Sequence, residues 1–111
     1  MTEQPEIKEV THVDDGVELV LQIPPDLSYF PGHFPQHPVL PGVVQLRWAD
    51  ELSRQYGLMT QRFVSVEKLK FQRIISKNYQ VRLELTRLDD TTVQFKYSSD
   101  HGQHSSGKLL F

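Results

Sequence analysis

The sequence predicts an α+β fold in which an antiparallel sheet wraps around one long central helix. Three observations predict it. A single stretch, Val43 to Tyr56, sets its apolar residues at helical spacing with no internal Pro or Gly. The rest of the chain is dominated by runs rich in Val, Leu, Phe, Tyr and Thr, separated by short turn sequences. A lone helix with apolar residues over a wide arc is best covered by a sheet that bends round it.

The elements follow in order. Val17, Leu19, Leu21 and Ile23 alternate with polar Glu18 and Gln22, the period of a half-buried strand, and Ile7 to Val13 is its expected hairpin partner across the turn Asp14-Asp15-Gly16. In the helix, Val44, Trp48, Leu52 and Tyr56 fall on one i, i+4 row, with Leu46 and Ala49 beside it. Gly57 then ends it as a left-handed cap. Four further strands are expected at Phe63 to Ile75, Tyr79 to Leu88, Thr92 to Ser98 and Ser106 to Phe111. Ser76-Lys77-Asn78, Asp89-Asp90 and Asp100-His101-Gly102 separate them, so they read as a consecutive meander.

Composition narrows the function. At 111 residues with 38% apolar and 23% charged, the chain reads as one domain over 1–111 with one core. Twelve Lys and Arg against 14 Asp and Glu give a net charge of -2, which excludes the basic footprint of a nucleic-acid binder. The absence of cysteine excludes a disulfide framework, a thiolate nucleophile and a Cys-based zinc site. The opening MTEQPEIKEV is polar, and no apolar run approaches the roughly 20 residues of a membrane span, so a cytoplasmic protein without membrane contact is expected. A domain this small gains core by pairing with a second copy.

The densest signal is FPGHFPQHPVLPGVVQLRWAD, Phe30 to Asp50, which holds four of the seven prolines immediately before the helix. Proline fixes its own φ and drives the preceding residue toward extended backbone, so Phe30, Phe34, His37 and Leu40 are held out of helix. His33 and His37 therefore sit on a stiff loop, where their i, i+4 spacing cannot serve as a helical metal-ligand pair. From Pro38 to Gly42 no Ser, Thr, Asp or Asn is present to cap the helix. Its first amides, of Gly42, Val43 and Val44, are then capped by water or open to an oxygen carrying developing negative charge. An imidazole near that point, His33, is what proton abstraction beside a carbonyl needs.

Over Phe30 to Gln45 the sequence resembles the signature of the hot-dog-fold 3-hydroxyacyl-acyl-carrier-protein dehydratases, in which a Gly-His-Phe-Pro motif opens the central helix. The element order agrees over nearly the whole chain, including the basic strand with Lys70-Phe71-Gln72-Arg73. Gln45, Leu46, Trp48 and Ala49 are most similar to the short dehydratases of aryl-polyene pathways. The resemblance implies a hot-dog homodimer, or a heterodimer with a related hot-dog subunit. It also implies a tunnel walled by Phe30, Phe34, Val39, Leu40, Val43 and Arg47, and an acyl carrier protein that presents the substrate on its phosphopantetheine arm. No cofactor or metal is implied. His33 would exchange the C2 proton, the Gly42 amide would polarise the thioester carbonyl, and water would be lost to give the trans-2-enoyl thioester.

One position departs. Where the family carries its catalytic carboxylate this chain has Arg47, whose guanidinium cannot deliver a proton at neutral pH. Asp50 and Glu51, one turn on, are the candidates for a relocated acid. The alternatives are that His33 and a water handle both proton transfers, or that Arg47, Glu51 and Arg54 form a surface ladder that does no chemistry. A hot-dog acyl thioesterase, or a non-catalytic acyl-thioester-binding subunit, are the competing functions. Lys68, Lys70 and Arg73 form a basic cluster suited to an acidic carrier protein. Asp100-His101-Gly102-Gln103-His104 reads as a hairpin turn with polar decoration.

Overall fold

The computed structural model describes residues 3–26 and 39–111. Among these, six strands and one helix follow in the order β1 (Glu6–Val13), β2 (Gly16–Gln22), α1 (Gly42–Gln55), β3 (Ser65–Phe71), β4 (Gln80–Asp89), β5 (Thr92–Ser99) and β6 (Gly102–Leu110). All six strands join one antiparallel sheet in the order β1-β2-β4-β5-β6-β3, which wraps α1 as a hot-dog fold. No described helix is long and apolar enough to cross a membrane.

The period-two pattern sets the faces. Val17, Leu19 and Leu21 of β2, Val81, Leu83 and Leu85 of β4, and Val93, Phe95 and Tyr97 of β5 are buried and form the core with Val44, Trp48, Ala49 and Leu52 of the helix. Both flanks of the sheet reach α1. On one side the Trp48 indole donates to the Glu3 carbonyl at 3.2 Å and His12 meets Tyr56 edge-on. On the other, Phe71 at the end of β3 lies against Gly42.

The helix ends as the sequence predicts. Gly57 has φ 78, its N–H donates to the Arg54 carbonyl, and the Leu58 N–H reaches back to Ser53 at 2.8 Å. This is a Schellman closure that a Cβ at Gly57 would strain.

Two expectations are corrected. The last four strands are not one consecutive meander: β4, β5 and β6 are, but β3 crosses to the far edge and pairs with β6, while β2 takes the place beside β4. β3 is also shorter than the run from Phe63 to Ile75. Phe63, Val64 and Ile74 are exposed apolar residues outside it, and an apolar side chain does not itself specify a ladder partner.

Candidate functional site

The helix begins without side-chain help. Pro41 occupies the N-cap in extended backbone and makes no capping hydrogen bond, and the first turn carries no acid. The Val44 and Gln45 amides both donate to the Pro41 carbonyl, at 3.1 and 3.2 Å. Val44 is thus satisfied within the turn, contrary to the expectation that it stands open. The amides of Gly42 and Val43 find no acceptor among the described residues. They carry the positive end of the helix dipole and can stabilise an oxygen that gains negative charge.

Gly42 permits a close approach. A Cβ there would lie 2.5 Å from Phe71 Cζ, so the ring fills the space a side chain would take. Phe71 is 52% exposed and Val43 67%, which makes an apolar rim beside two available donors. The role of Phe71 was not legible locally, because the pairing of β3 with a distant strand sets it.

The approach to the helix is held on both sides. Val39 forms a bridge with Ser76, and the Leu40 N–H donates to the Ile75 carbonyl at 2.7 Å. The Leu40 carbonyl accepts from Gln45 Nε2 at 3.3 Å, while Gln45 Oε1 accepts from the Ser105 hydroxyl at 2.7 Å. The Tyr97 hydroxyl donates to the Gln45 backbone carbonyl at 2.8 Å, and burial raises its pKa so that it remains a donor. The side chains of Gln45, Ser105 and Tyr97 are buried, and so is Leu40, which lies within the core.

The acidic candidates separate. Asp50 Oδ2 accepts from Arg54 Nη2 at 2.7 Å, whereas its Oδ1 is buried with no hydrogen-bond partner among the described residues. Burial raises the Asp50 pKa, against the lowering effect of Arg54 and with a further raising contribution from Glu51. Glu51 instead accepts from Gln4 Nε2 at 3.3 Å. The i, i+4 pair on this face is therefore Asp50–Arg54. Arg47 is exposed on the same side of the helix as Val43. Helical geometry puts Asp50 about 4.5 Å further along the axis than Arg47 and about 60° round it. His33, His37, Phe30 and Phe34 lie outside the described residues.

Comparison with known proteins identifies the lineage. A family model described as ApeI-like, ApeI dehydratase, matches residues 9–108. The chain belongs to the ApeI-like dehydratase family. It is 27% identical to a chain of the dehydratase heterocomplex ApeI:P from Xenorhabdus doucetiae, with a TM-score of 0.88 and 96% of each chain covered. An uncharacterised protein from Erwinia carotovora subsp. atroseptica superposes with a TM-score of 0.81 at 35% identity, covering 96% of this chain and 94% of that one. Two 3-hydroxyacyl-[acyl-carrier-protein] dehydratases named FabZ also match. That of Granulibacter bethesdensis is 36% identical over 70 residues, and that of Nitrosospira multiformis 28% identical over 81. The matched regions are 55% and 64% of this chain but only 41% and 56% of those relatives.

In this ApeI-like chain the expected basic cluster divides. Lys68 and Lys70 gather with Lys108 of β6 around one depression. Arg73 lies beyond β3, its Nε 3.3 Å from where a Gly102 Cβ would stand. His104 is not surface decoration but fully buried. Its Nδ1 faces the Arg73 carbonyl at 3.2 Å, which can only accept, so that nitrogen carries the proton and Nε2 accepts from the Ser99 hydroxyl at 2.6 Å. Burial, the largest effect, lowers the His104 pKa and favours the neutral ring. The His104 carbonyl also accepts from the Gln72 and Arg73 amides, so this residue fixes the segment that leads to Ile75 and Leu40.

Proposed function

We propose that this chain removes water from a 3-hydroxyacyl thioester carried on acyl carrier protein, giving the trans-2-enoyl thioester. The observation that carries the proposal is the uncapped helix start: the amides of Gly42 and Val43 lack acceptors among the described residues and stand beside Phe71, in a chain of a dehydratase family. A thioester carbonyl oxygen seated on those amides would be stabilised as C2 loses its proton. His33, directly upstream in sequence, is assigned as the base that takes that proton. The C2–H electron pair forms the C2=C3 bond, the C3–O bond breaks, and the departing hydroxide leaves as water with a proton from an acid.

Asp50 is assigned as that acid, in preference to Glu51. One of its oxygens is buried without a hydrogen-bond partner among the described residues, and burial keeps its carboxyl protonated to higher pH than an ordinary aspartate. Asp50 lies about 12 Å along the axis from Gly42, so the acyl chain would run along the helix from the amide end toward it. Solvent exchange then returns a proton to Asp50 and removes one from His33.

A second reading is favoured by Arg47 and by the neighbour described as a heterocomplex. On that reading the chain is a subunit that holds acyl thioester while a related hot-dog chain supplies the acid. Mass spectrometry of a carrier-bound 3-hydroxyacyl chain incubated with the pure protein separates the possibilities. Loss of water supports dehydration, and release of the free carrier thiol would indicate a thioesterase. No change alone, with turnover on adding the related chain, would select the subunit.

A further inference from the structure

We propose that the outer face of the β3–β6 edge carries an anion site, formed by Lys68, Lys70 and Lys108, that takes a phosphate group. Directly paired residues of an antiparallel ladder share a face. On β6, Ser106 and Lys108 alternate with buried Ser105, Gly107 and Leu109, and on β5 Gln94 lies between buried Val93 and Phe95. Gln94, Ser106 and Lys108 therefore point away from the helix.

β3 would not present its lysines there if it were regular. Glu67 pairs with Lys108 and Lys70 with Ser106, so two residues of β3, Lys68 and Leu69, oppose the single residue Gly107. Without the extra residue the phase of the strand would invert and Lys70 would turn toward the helix. The bulge is made at Lys68, whose φ of 52 lies in the left-handed region that a lysine rarely adopts. Strain of this kind persists where the surrounding structure enforces it, often at ligand sites.

The result is a depression of about 320 Å³ lined by the three lysines with Gln94 and Ser106. Glu67 is the carboxylate paired in register with Lys108, yet no carboxylate forms an ion pair with any of the three lysines among the described residues. The chain as a whole is negative, so the cluster is local rather than a sample of general basicity. Three ammonium groups that repel one another, flanked by an amide and a hydroxyl donor, suit a compact dianion with several acceptor oxygens. Such a phosphate could belong to a free metabolite, or to the prosthetic arm of the carrier invoked above. The site itself does not depend on dehydration.

The experiment is an ¹⁵N NMR titration of the full chain with inorganic phosphate and with pyrophosphate, at ionic strength held constant with chloride. The expected result is saturable shifts at Gln94, Ser106 and Lys108. Binding should be about five- to tenfold weaker in Lys108→Gln and in Lys70→Gln and unaltered in Lys77→Gln, whose lysine lies outside the depression. Shifts that follow ionic strength alone, or that are the same in all three variants, would overturn the proposal. Given saturable binding, kcat/KM distinguishes the sources. A fall in Lys108→Gln on carrier-bound substrate but not on a phosphate-free pantetheine thioester identifies the arm. Unchanged kcat/KM on both identifies a free phosphate compound. A chain with no dehydratase activity would leave the binding result intact.

Discussion

Gln45 and Asp50 show how differently two polar residues of one helix can be treated. Gln45 is 4% exposed and has both ends of its amide matched, by Ser105 and by Leu40. Asp50 has one oxygen matched and one buried with no donor among the described residues, an arrangement that costs stability and keeps a proton available. The candidate acid was legible in the sequence from its place one turn past Arg47. The choice over Glu51 was not, because it depends on burial and on the pairing with Arg54. Gln45 was invisible as a buried residue, since period alone marks apolar faces and is silent on a polar side chain whose partners come from β6. Ser105→Ala would leave Gln45 Oε1 unmatched, so a loss of about 1–3 kcal/mol is expected in urea unfolding. Ser105→Thr should retain most of the wild-type stability, and equal stability of the alanine variant would mean that the Gln45 amide has another partner.

At the scale of elements, β3 decides the site and was the element least legible in the sequence. Its strand character was plain from Val66 and Leu69, and its basic residues were noted. Its neighbour and its bulge were not, because both are settled by β6. The bulge puts Phe71 in register with buried Ser105, on the helix side, and so brings the ring to Gly42. The two helix ends contrast with this. Gly57 and the uncapped start at Pro41 were both readable, because caps are local chemistry.

The segment after β3 is fastened by His104, and that link should respond to acid. The folded-state pKa of His104 is depressed below its ordinary 6.5. Its contribution to stability is therefore fully present above about pH 6.5 and is lost as pH falls through that value toward the lowered one, because the unfolded chain then binds the proton first. In thermal melts between roughly pH 8 and pH 5, the wild type should lose stability relative to His104→Gln as pH falls. Parallel curves for the two proteins would show that the buried ring does not resist protonation.

Among the described residues the sheet has two open edges, β1 and β3, and β3 is the one beside the candidate site. β3 has β6 on one side and no described strand on the other, and Val43, Leu69, Phe71 and Ile74 on and around it are exposed apolar residues. An open edge with apolar neighbours invites another strand, and a second copy of this chain would satisfy it by symmetry. Light scattering at micromolar concentration is expected to give a dimer, with the β3 amides protected from hydrogen exchange. A monomer with rapidly exchanging β3 amides would argue against strand pairing. The hot-dog fold was legible from one helix, alternating strands and the motif at its start, whereas strand order was not, since local pattern does not encode which edge a strand joins.

On the proposed reading, dehydration proceeds with Arg47 in place of a carboxylate because Asp50 supplies the proton. The most direct test compares wild type with Asp50→Asn on a carrier-bound 3-hydroxyacyl thioester in deuterated water, following water loss and C2 deuteration together by mass spectrometry. The substitution keeps the size of the side chain and removes the acid. The expected result is dehydration slowed roughly 10²- to 10⁴-fold with C2 exchange retained, since Gly42 and His33, the proposed groups for that step, are unsubstituted. Equal dehydration by the two proteins would contradict the assignment of Asp50, and a wild type that neither exchanges C2 nor loses water would contradict the dehydratase account itself.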